Sequence, residues 1–374
     1  MTTLFDPIQA GDLHLANRIA MAPLTRNRSP RAVPRDITAT YYAQRASAGL
    51  LITEGTAITH QGQGYSDVPG LYGTEQLDGW KRVTQAVHAR GGKIVTQLWH
   101  VGRVSHTALQ PEGGAPVAPS AVRAQSQTYL VDAASGQGQF VPTSEPRALA
   151  AEELPDIVHA FAAAARNAVQ TAGFDGVEIH GANGYLLDQF LKDGANQRKD
   201  DYGGGIANRV RLMVEVTRAV VDAIGGGRVG IRLSPVTPAN DIRDSDPQPL
   251  FEHLARELAP LGLAFIHVIE GATGGPREVE GRPFDYAAFK NAYRSAGGRG
   301  AWMVNNGYDR DMAQEALASG RADIVAFGRA FISNPDLVER LRRGAPLNAW
   351  DKTTFYGGGE HGYIDYPALE QVPA

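Results

Sequence analysis

Three side chains that could act on a carbonyl compound stand within six residues of one another in the segment 173–191. They are His180, Asn183 and Tyr185, and they follow a short apolar run, 176–179, that is typical of a buried strand. A ring nitrogen, an amide and a phenol together can hold a carbonyl oxygen and deliver a proton beside it. A structural alternative is that Asn183 caps the amphipathic helix predicted to follow and that Tyr185 packs. The segment alone leaves both interpretations open.

The composition of the 374-residue chain is that of an ordinary globular protein, with 43% hydrophobic and 20% charged residues. A net charge of −4 without a long basic run argues against nucleic acid or an anionic membrane as the partner. The chain contains no cysteine and no paired-histidine zinc helix, so we expect no disulfide, thiolate nucleophile or metal site. We find neither a secretory signal nor an apolar run long enough to span a membrane, which predicts a cytoplasmic protein.

Short apolar runs alternate with amphipathic helical patterns along the whole chain. Near-continuous apolar strands of this kind are typical of a parallel sheet that is covered by helices. Eight such runs predict an α/β fold, a single (β/α)8 TIM barrel. The predicted strands are 18–22, 50–54, 93–98, 176–179, 228–233, 264–269, 301–304 and 324–327. The predicted helices are 75–90, 152–171, 210–224, 249–261, 286–295 and 310–319.

The chain is longer than the roughly 250 residues of a typical barrel, so we expect insertions. The segment 104–147, rich in Gly, Pro, Ser and Gln, stands after the third strand and is predicted to form a lid or a small hairpin. The segment 5–15, with a Gly11–Asp12 turn, predicts an N-terminal hairpin that closes the bottom of the barrel. No break in composition divides the chain, so we interpret 1–374 as one domain.

Polar side chains follow several of the predicted strands, and in this fold the strand ends form the active site. Gln97 follows the third strand and could donate to and accept from the imide edge of a planar ring. Arg232 in the fifth strand could stabilise the negative charge that appears when a flavin is reduced. The alternatives are that Arg232 pairs with Glu178 inside the barrel, that Gln97 satisfies a buried backbone group, and that Trp99 belongs to the core.

Glycines and an arginine follow the last two strands, where barrels of this kind usually bind phosphate. Gly307 follows strand seven, and Gly328 and Arg329 follow strand eight. Glycine lets backbone amides approach a phosphate, and Arg329 adds positive charge. The strand ends together predict a flat, hydrogen-bonding cofactor that carries a phosphate.

Motifs in a fixed order along nearly the whole chain resemble the Old Yellow Enzyme family of flavin-dependent ene reductases, within the NADH:flavin oxidoreductases. They begin with Ala16-Asn17-Arg18 and MAPLTRNRS (21–29), QLWHVGR (97–103) and HGANGYLLDQFL (180–191). They continue with NQRKDDYGG (196–204), GIRLSP (230–235), FGRAFISNPDLVERL (327–341), TFYGGG (354–359) and GYIDYP (362–367).

The resemblance implies noncovalent FMN at the mouth of the barrel and NADPH or NADH as the hydride donor. The residues implied to bind the cofactor are Pro23, Leu24, Thr25, Gly55, Gln97, Arg232, Asn306, Gly307, Gly328 and Arg329. Tyr65, Trp99 and Tyr356 are implied to line the substrate site, and His180 and Asn183 to hold the substrate's oxygen. Tyr185 is implied to be the proton donor.

The activity implied is reduction of the activated C=C bond of α,β-unsaturated carbonyl or nitro compounds. Hydride would come from flavin N5 and a proton from Tyr185. Position 25 is Thr where another main subgroup has cysteine, and position 183 is Asn where some relatives have a second histidine. The alternatives are a flavin-free, phosphate-binding isomerase or lyase and a non-catalytic flavin-binding protein. We expect small-molecule partners and a monomer or homodimer.

Overall fold

A closed barrel of parallel strands forms the centre of the molecule. The computed structural model describes residues 2–132 and 134–369, and within them eight strands close the barrel in chain order, with β8 beside β1. The strands are β1 (Ile19–Met21), β2 (Leu50–Ala57), β3 (Ile94–Trp99), β4 (Gly176–Gly181), β5 (Val229–Leu233), β6 (Phe265–Ile269), β7 (Ala301–Asn305) and β8 (Ile324–Phe327). The closed barrel of eight parallel strands confirms the predicted fold. Every strand residue is buried, as expected for strands covered by helices.

Helices surround the barrel and pack their apolar faces on it. They are α1 (Asp36–Gln44), α2 (Thr74–His88), α3 (Leu154–Arg166), α4 (Leu186–Leu191), α5 (Ile206–Ile224), α6 (Pro247–Leu258), α7 (Tyr286–Ser295), α8 (Arg310–Ala318), α9 (Arg329–Ser333) and α10 (Leu337–Arg343). The prediction of an amphipathic helix after Tyr185 is wrong, because all six residues of α4 are buried. No helix in the described ranges is long and apolar enough to cross a membrane.

The amino-terminal hairpin closes the bottom of the barrel, as predicted. Its strands, Ile8–Ala10 and Leu13–Leu15, pair antiparallel, and Leu13 and Leu15 are buried in a cluster with Phe265 and Met303. The Gly11 turn has φ 57°, and a Cβ there would lie 2.4 Å from a backbone oxygen of the loop before β5. Glycine is therefore required at the turn, and it allows the hairpin to dock tightly.

The segment 104–147 forms a cover beside the mouth of the barrel. It contains a hairpin of Gln127–Val131 and Gly138–Pro142, and the short strands Val117–Ala118 and Arg147–Ala148. Tyr129 and Phe140 of this hairpin have ring centroids 5.3 Å apart, and each ring approaches Tyr356 near the carboxyl end of the chain. The predicted small hairpin thus brings aromatic side chains to the edge of the mouth.

Buried arginines hold the carboxyl-terminal segment 354–363, here called the strap, across the outer edge of the mouth. Arg28 donates to the backbone oxygens of Thr354 at 2.9 Å and Gly359 at 3.1 Å. Arg26 donates to the oxygen of Phe355 at 2.9 Å. The guanidinium of Arg28 also lies over the Tyr363 ring, 4.6 Å from its centroid. The strap is therefore fixed by charged donors rather than by secondary structure.

Candidate active site

The turn after β4 has a backbone conformation that few residues adopt. Asn183 has φ 58° and Gly184 has φ 74°, in the left-handed region that Asn and Gly tolerate best. The Asn183 N–H donates to Ser234 Oγ at 2.8 Å, and the Gly184 N–H donates to Asp188 Oδ2 at 2.8 Å. Asp188 also pairs with Lys192 at 3.1 Å, with both side chains fully buried. These bonds fix the turn to β5 and to α4.

His180 is buried at the end of β4 and is held in one tautomer. The Ala182 N–H donates to its Nδ1 at 3.3 Å, which assigns the ring proton to Nε2. Burial, together with the positive charge of Arg232, lowers the pKa of His180 well below its ordinary value of 6.5. At neutral pH the ring is therefore an uncharged donor.

Tyr185 lies within a cluster of aromatic rings. Its ring meets those of Trp99 and His180 edge-on, with centroids 4.9 Å away in both cases. Its hydroxyl lies 3.2 Å from that of Tyr65, whose ring stacks on Trp99. Burial raises the pKa of Tyr185 above 10, so the phenol keeps its proton at neutral pH.

Two adjoining cavities open at the mouth of the barrel. The smaller one, about 470 Å³, has walls of Tyr65, Tyr185 and Tyr356, with the hairpin residues Tyr129 and Phe140 at its outer side. The larger one, about 650 Å³, follows the ends of β1, β5, β7 and β8. Thr25 and Tyr356 line both cavities, and Asn183 faces the larger one.

The larger cavity brings together most of the residues predicted to bind a cofactor. Those that line it are Pro23, Leu24, Thr25, Arg232, Asn306, Gly307, Gly328 and Arg329. At Gly307, with φ 67°, an added Cβ would meet no atom within 4 Å, so its backbone is open to a ligand. Gln97 and Gly55 are buried outside this lining, and a Cβ on Gly55 would lie 2.4 Å from the Trp99 ring. Gly55 thus makes room for Trp99.

A hydrogen-bonded group lies inside the barrel behind Arg232. Glu178 accepts from Gln97 Nε2 at 2.7 Å and pairs with His267 Nδ1 at 2.6 Å. The Arg232 guanidinium donates to Asn305 Oδ1 at 2.9 Å, and burial lowers its pKa to about 10, so it remains charged. Glu178 therefore holds Gln97 and His267, whereas Arg232 takes an amide partner.

The side chain of Asn306 is hydrogen-bonded to backbone groups of the protein, unlike that of a residue whose side chain is free to bind a phosphate. Its side-chain amide donates to the backbone oxygens of Glu270 at 2.7 Å and Ala272 at 2.9 Å. Its Oδ1 accepts from the Gly274 N–H at 3.1 Å. The side chain thus secures the turn 270–275 after β6, and its predicted role in cofactor binding stays a prediction.

Two polar residues at the site were not found from the sequence. Asn240 donates to the Asn183 backbone oxygen at 2.8 Å and accepts from Ser126 at 2.7 Å, so it joins the β4 turn to the cover. Thr273 donates to Asn183 Oδ1 at 2.6 Å. Both stand in long loops after β5 and β6 rather than at a strand end, and no pattern in those loops marks them.

Comparison with known proteins identifies the family. The model of the NADH:flavin oxidoreductase / NADH oxidase family matches residues 3–348. The chain belongs to this family. A rice relative (Oryza sativa subsp. japonica), 12-oxophytodienoate reductase 7, is 45% identical over 387 residues, covering 98% of this chain and 95% of the relative.

Solved structures agree with this family assignment. Morphinone reductase in complex with tetrahydroNAD has a TM-score of 0.92 and 46% identity, with 99% of this chain and 98% of that chain covered. The Old Yellow Enzyme homologue from Zymomonas mobilis has a TM-score of 0.92 and 42% identity, with coverage of 98% and 100%. The predictions of an Old Yellow Enzyme family member, of the fold and of an alkene-reducing oxidoreductase are confirmed.

Proposed function

We propose that this protein is an FMN-dependent ene reductase. It would use NADPH or NADH to reduce the activated C=C bond of α,β-unsaturated carbonyl or nitro compounds. The observation that carries the proposal is the grouping of His180 at the end of β4 with Asn183 and Tyr185 in the turn that follows. Asn183 lines the larger cavity and Tyr185 the smaller one. The relatives named as reductases of 12-oxophytodienoate and of morphinone support the same activity.

The larger cavity fits FMN in size and in chemistry. Its volume of about 650 Å³ lies in the usual range for cofactor sites. The Nε of Arg232 is buried and, among the described residues, has no hydrogen-bond partner, which leaves a charged donor for an electron-rich ring. Gly307 and Arg329 offer an open backbone and a positive charge for a phosphate.

Residues at the two ends of the cavity would hold the ring and the phosphate of the cofactor. We expect Thr25 and Arg232, which line the cavity, to contact the ring, and Gly307, Gly328 and Arg329 to contact the phosphate. Gln97 is buried outside this lining with its amide on Glu178, and its contact with the ring stays a prediction. When bound, FMN supplies the hydride that reduces the alkene.

His180 and Asn183 would bind the substrate's oxygen. His180 presents Nε2–H as a neutral donor, and Asn183 has an amide whose Oδ1 is already bonded to Thr273, which leaves Nδ2 to donate. Two donors on one oxygen draw electron density from the conjugated double bond, so its β-carbon becomes electrophilic. Because neither donor is charged, the site is suited to neutral carbonyl and nitro groups.

Tyr185 would supply the proton to the α-carbon. Burial raises its pKa, so the hydroxyl is protonated throughout the physiological range. The rings of Trp99 and His180 restrict its orientation, and the Tyr65 hydroxyl lies in hydrogen-bonding distance. The donor is thus held at the wall of the smaller cavity.

Replacing Tyr185 with Phe tests the proposal. We expect NADPH to reduce the bound flavin at a rate close to that of the wild type, whereas 2-cyclohexenone reduction slows by roughly a hundredfold or more, the usual contribution of a general acid. Stopped-flow absorbance of the flavin separates the two steps.

Tyr72→Phe is the matched control, because Tyr72 is 39% exposed and lies outside both cavity walls. It should leave both steps unchanged. Enone reduction by Tyr185→Phe at the wild-type rate would remove Tyr185 from the mechanism. A purified protein that takes up no FMN would refute the proposal as a whole.

A further inference from the structure

The side chain of Asn183 can bind a substrate's oxygen in only one of its two amide orientations. The two ends of an amide have nearly the same shape, but one accepts and the other donates. If Nδ2 faces the cavity, the site attracts a carbonyl oxygen, and if Oδ1 faces it, the site repels one. Some other group must therefore decide which end of Asn183 faces the ligand.

Thr273 contacts the oxygen end of this amide. Its hydroxyl donates to Asn183 Oδ1 at 2.6 Å, a short bond between residues 90 positions apart in the chain. Thr273 belongs to the turn 270–275 after β6 and lines the larger cavity together with Asn183. With Oδ1 engaged in this way, the Nδ2 donors are left for a ligand.

A second threonine sets the direction of this hydrogen bond. Thr237 is fully buried, and its Oγ1 accepts from the backbone N–H groups of Thr273 at 3.2 Å and Ala239 at 3.4 Å. Its own hydroxyl hydrogen donates to Thr273 Oγ1 at 3.2 Å. Because the Thr273 oxygen accepts that bond, its hydrogen is directed to Asn183. The chain of donors runs one way, from Thr237 to Thr273 to Asn183.

The turn that carries Thr273 is itself fixed. The amide of Asn306 donates to the oxygens of Glu270 and Ala272 and accepts from Gly274, so residues on both sides of Thr273 are bound to the end of β7. The Gly271 N–H donates to the Tyr286 hydroxyl at 2.7 Å. The hydroxyl of Thr273 is thus presented from a secured backbone.

We propose that Thr273 is a positioning residue, which orients the Asn183 amide so that the substrate site accepts only ligands with a hydrogen-bond-accepting oxygen. This deepens the function proposed above and rests on it. Nδ2 of Asn183 and Nε2 of His180 are then both donors. A ketone, nitro or phenolate oxygen satisfies them, whereas a protonated amine, which can only donate, does not.

Titration of the FMN-loaded protein with 4-hydroxybenzaldehyde, followed by the absorbance spectrum of the flavin, tests the assignment with a phenolate oxygen. Thr273→Val keeps the shape and removes the hydroxyl, and it should weaken binding by about tenfold, the usual effect of losing one buried hydrogen bond. Thr273→Ser restores the hydroxyl and should bind within about twofold of the wild type. Thr40→Val, at an exposed site on α1, is the matched control.

A double-mutant cycle separates positioning from general structural support. In the Asn183→Ala background there is no amide to orient, so adding Thr273→Val should cause no further loss of phenolate affinity. Retained FMN binding, measured by the fluorescence of released flavin, should show that the variants remain folded.

Wild-type phenolate affinity in Thr273→Val, in a protein that reduces enones normally, would overturn this assignment alone. An equal loss in the presence and absence of Asn183 would also overturn it, since Thr273 would then act by another route. A protein that binds FMN but reduces no enone refutes the proposed function, and with it the role of Thr273.

Discussion

Three buried histidines, two near the mouth of the barrel and one inside it, are uncharged for the same physical reason. His100, His180 and His267 are each buried, and burial lowers the pKa of all three below 6.5, in the case of His100 to about 3. Loss of hydration disfavours the imidazolium. The neutral state of His180 suits substrate binding, because an uncharged donor can hold a neutral carbonyl oxygen without needing a counter-ion beside it.

Because His100 is buried in its uncharged form, the protein should become less stable in acid. The unfolded chain binds a proton at this residue below about pH 6.5, but the folded protein does not bind one until about pH 3, so the unfolding free energy falls as the pH falls between these values. His100→Asn should reduce that slope by about 1.4 kcal/mol per pH unit between pH 6 and 4. Urea unfolding at several pH values measures it.

The exposed His14 supplies the control, since His14→Asn should leave the slope unaltered. The pKa of Glu54, which burial raises to about 7, gives a contribution of opposite sign, but it is common to all variants and cancels in the difference. Equal slopes for His100→Asn and the wild type would show that His100 does not remain neutral when folded.

The residues of the site were predictable to the extent that they stand at strand ends. His180, Tyr185 and Arg232 could be placed at the mouth because apolar runs mark the strands before them. Their hydrogen-bond partners could not, because these come from distant loops. Arg232 could have paired with Glu178, but Glu178 instead takes His267, a choice that only the packed barrel interior decides.

At the level of elements, the strap is the part whose position depends most on individual side chains. It carries Phe355 and Tyr356, which line the larger cavity. Only its first residue, Thr354, belongs to a regular element, the short 3-10 turn Lys352–Thr354. Its backbone oxygens are satisfied by the guanidinium groups of Arg26 and Arg28. Retention of a ligand in that cavity therefore depends in part on Arg28, which does not line it.

Replacing Arg28 with Met should loosen the strap. The oxygens of Thr354 and Gly359 would lose charged donors, which we expect to lower the unfolding free energy by about 3 kcal/mol. Release of FMN should become faster because the strap no longer closes the cavity, and flavin fluorescence after dilution measures this rate.

Arg31 offers a matched control, because its side chain is 83% exposed and Arg31→Met should change stability by less than about 0.5 kcal/mol. The stability of Arg28→Lys should fall between those of the two Met variants, since lysine keeps the charge but presents its donors from a single nitrogen rather than from a planar fork. An Arg28→Met protein that retains FMN as long as the wild type would contradict the role given to the strap.

The regular elements were easier to predict from the sequence than the loops. All eight strands were found because each is buried on both faces and reads as a continuous apolar run. Helix α1 was missed, since its apolar residues make only a weak one-sided pattern, and α4 was misjudged because it lies between other elements with every side chain buried. In both cases tertiary packing outweighed periodicity.

Considered as a whole molecule, the barrel has one closed end and one open end. The amino-terminal hairpin fills the closed end with Leu13 and Leu15, and the cover and the strap surround the open one. Stability is concentrated in the buried interior, and binding groups are concentrated at the mouth, a division typical of this fold. That residues 1–374 act as a single domain stays a prediction.

The turn at Asn183 also bears on how the protein ages chemically. Asn followed by Gly is the pair most open to deamidation, in which the glycine's backbone nitrogen attacks the side-chain amide. Here the Gly184 nitrogen donates to the buried Asp188 carboxylate, and the amide oxygen is bonded to Thr273, so the attacking geometry is blocked. Peptide mapping of protein stored for weeks at 37 °C should find Asn183 intact, and accumulation of isoaspartate there would contradict this. Deamidation would place a carboxylate at this position, and a carboxylate would repel the substrate's oxygen. By blocking that reaction, the folded turn preserves the binding site.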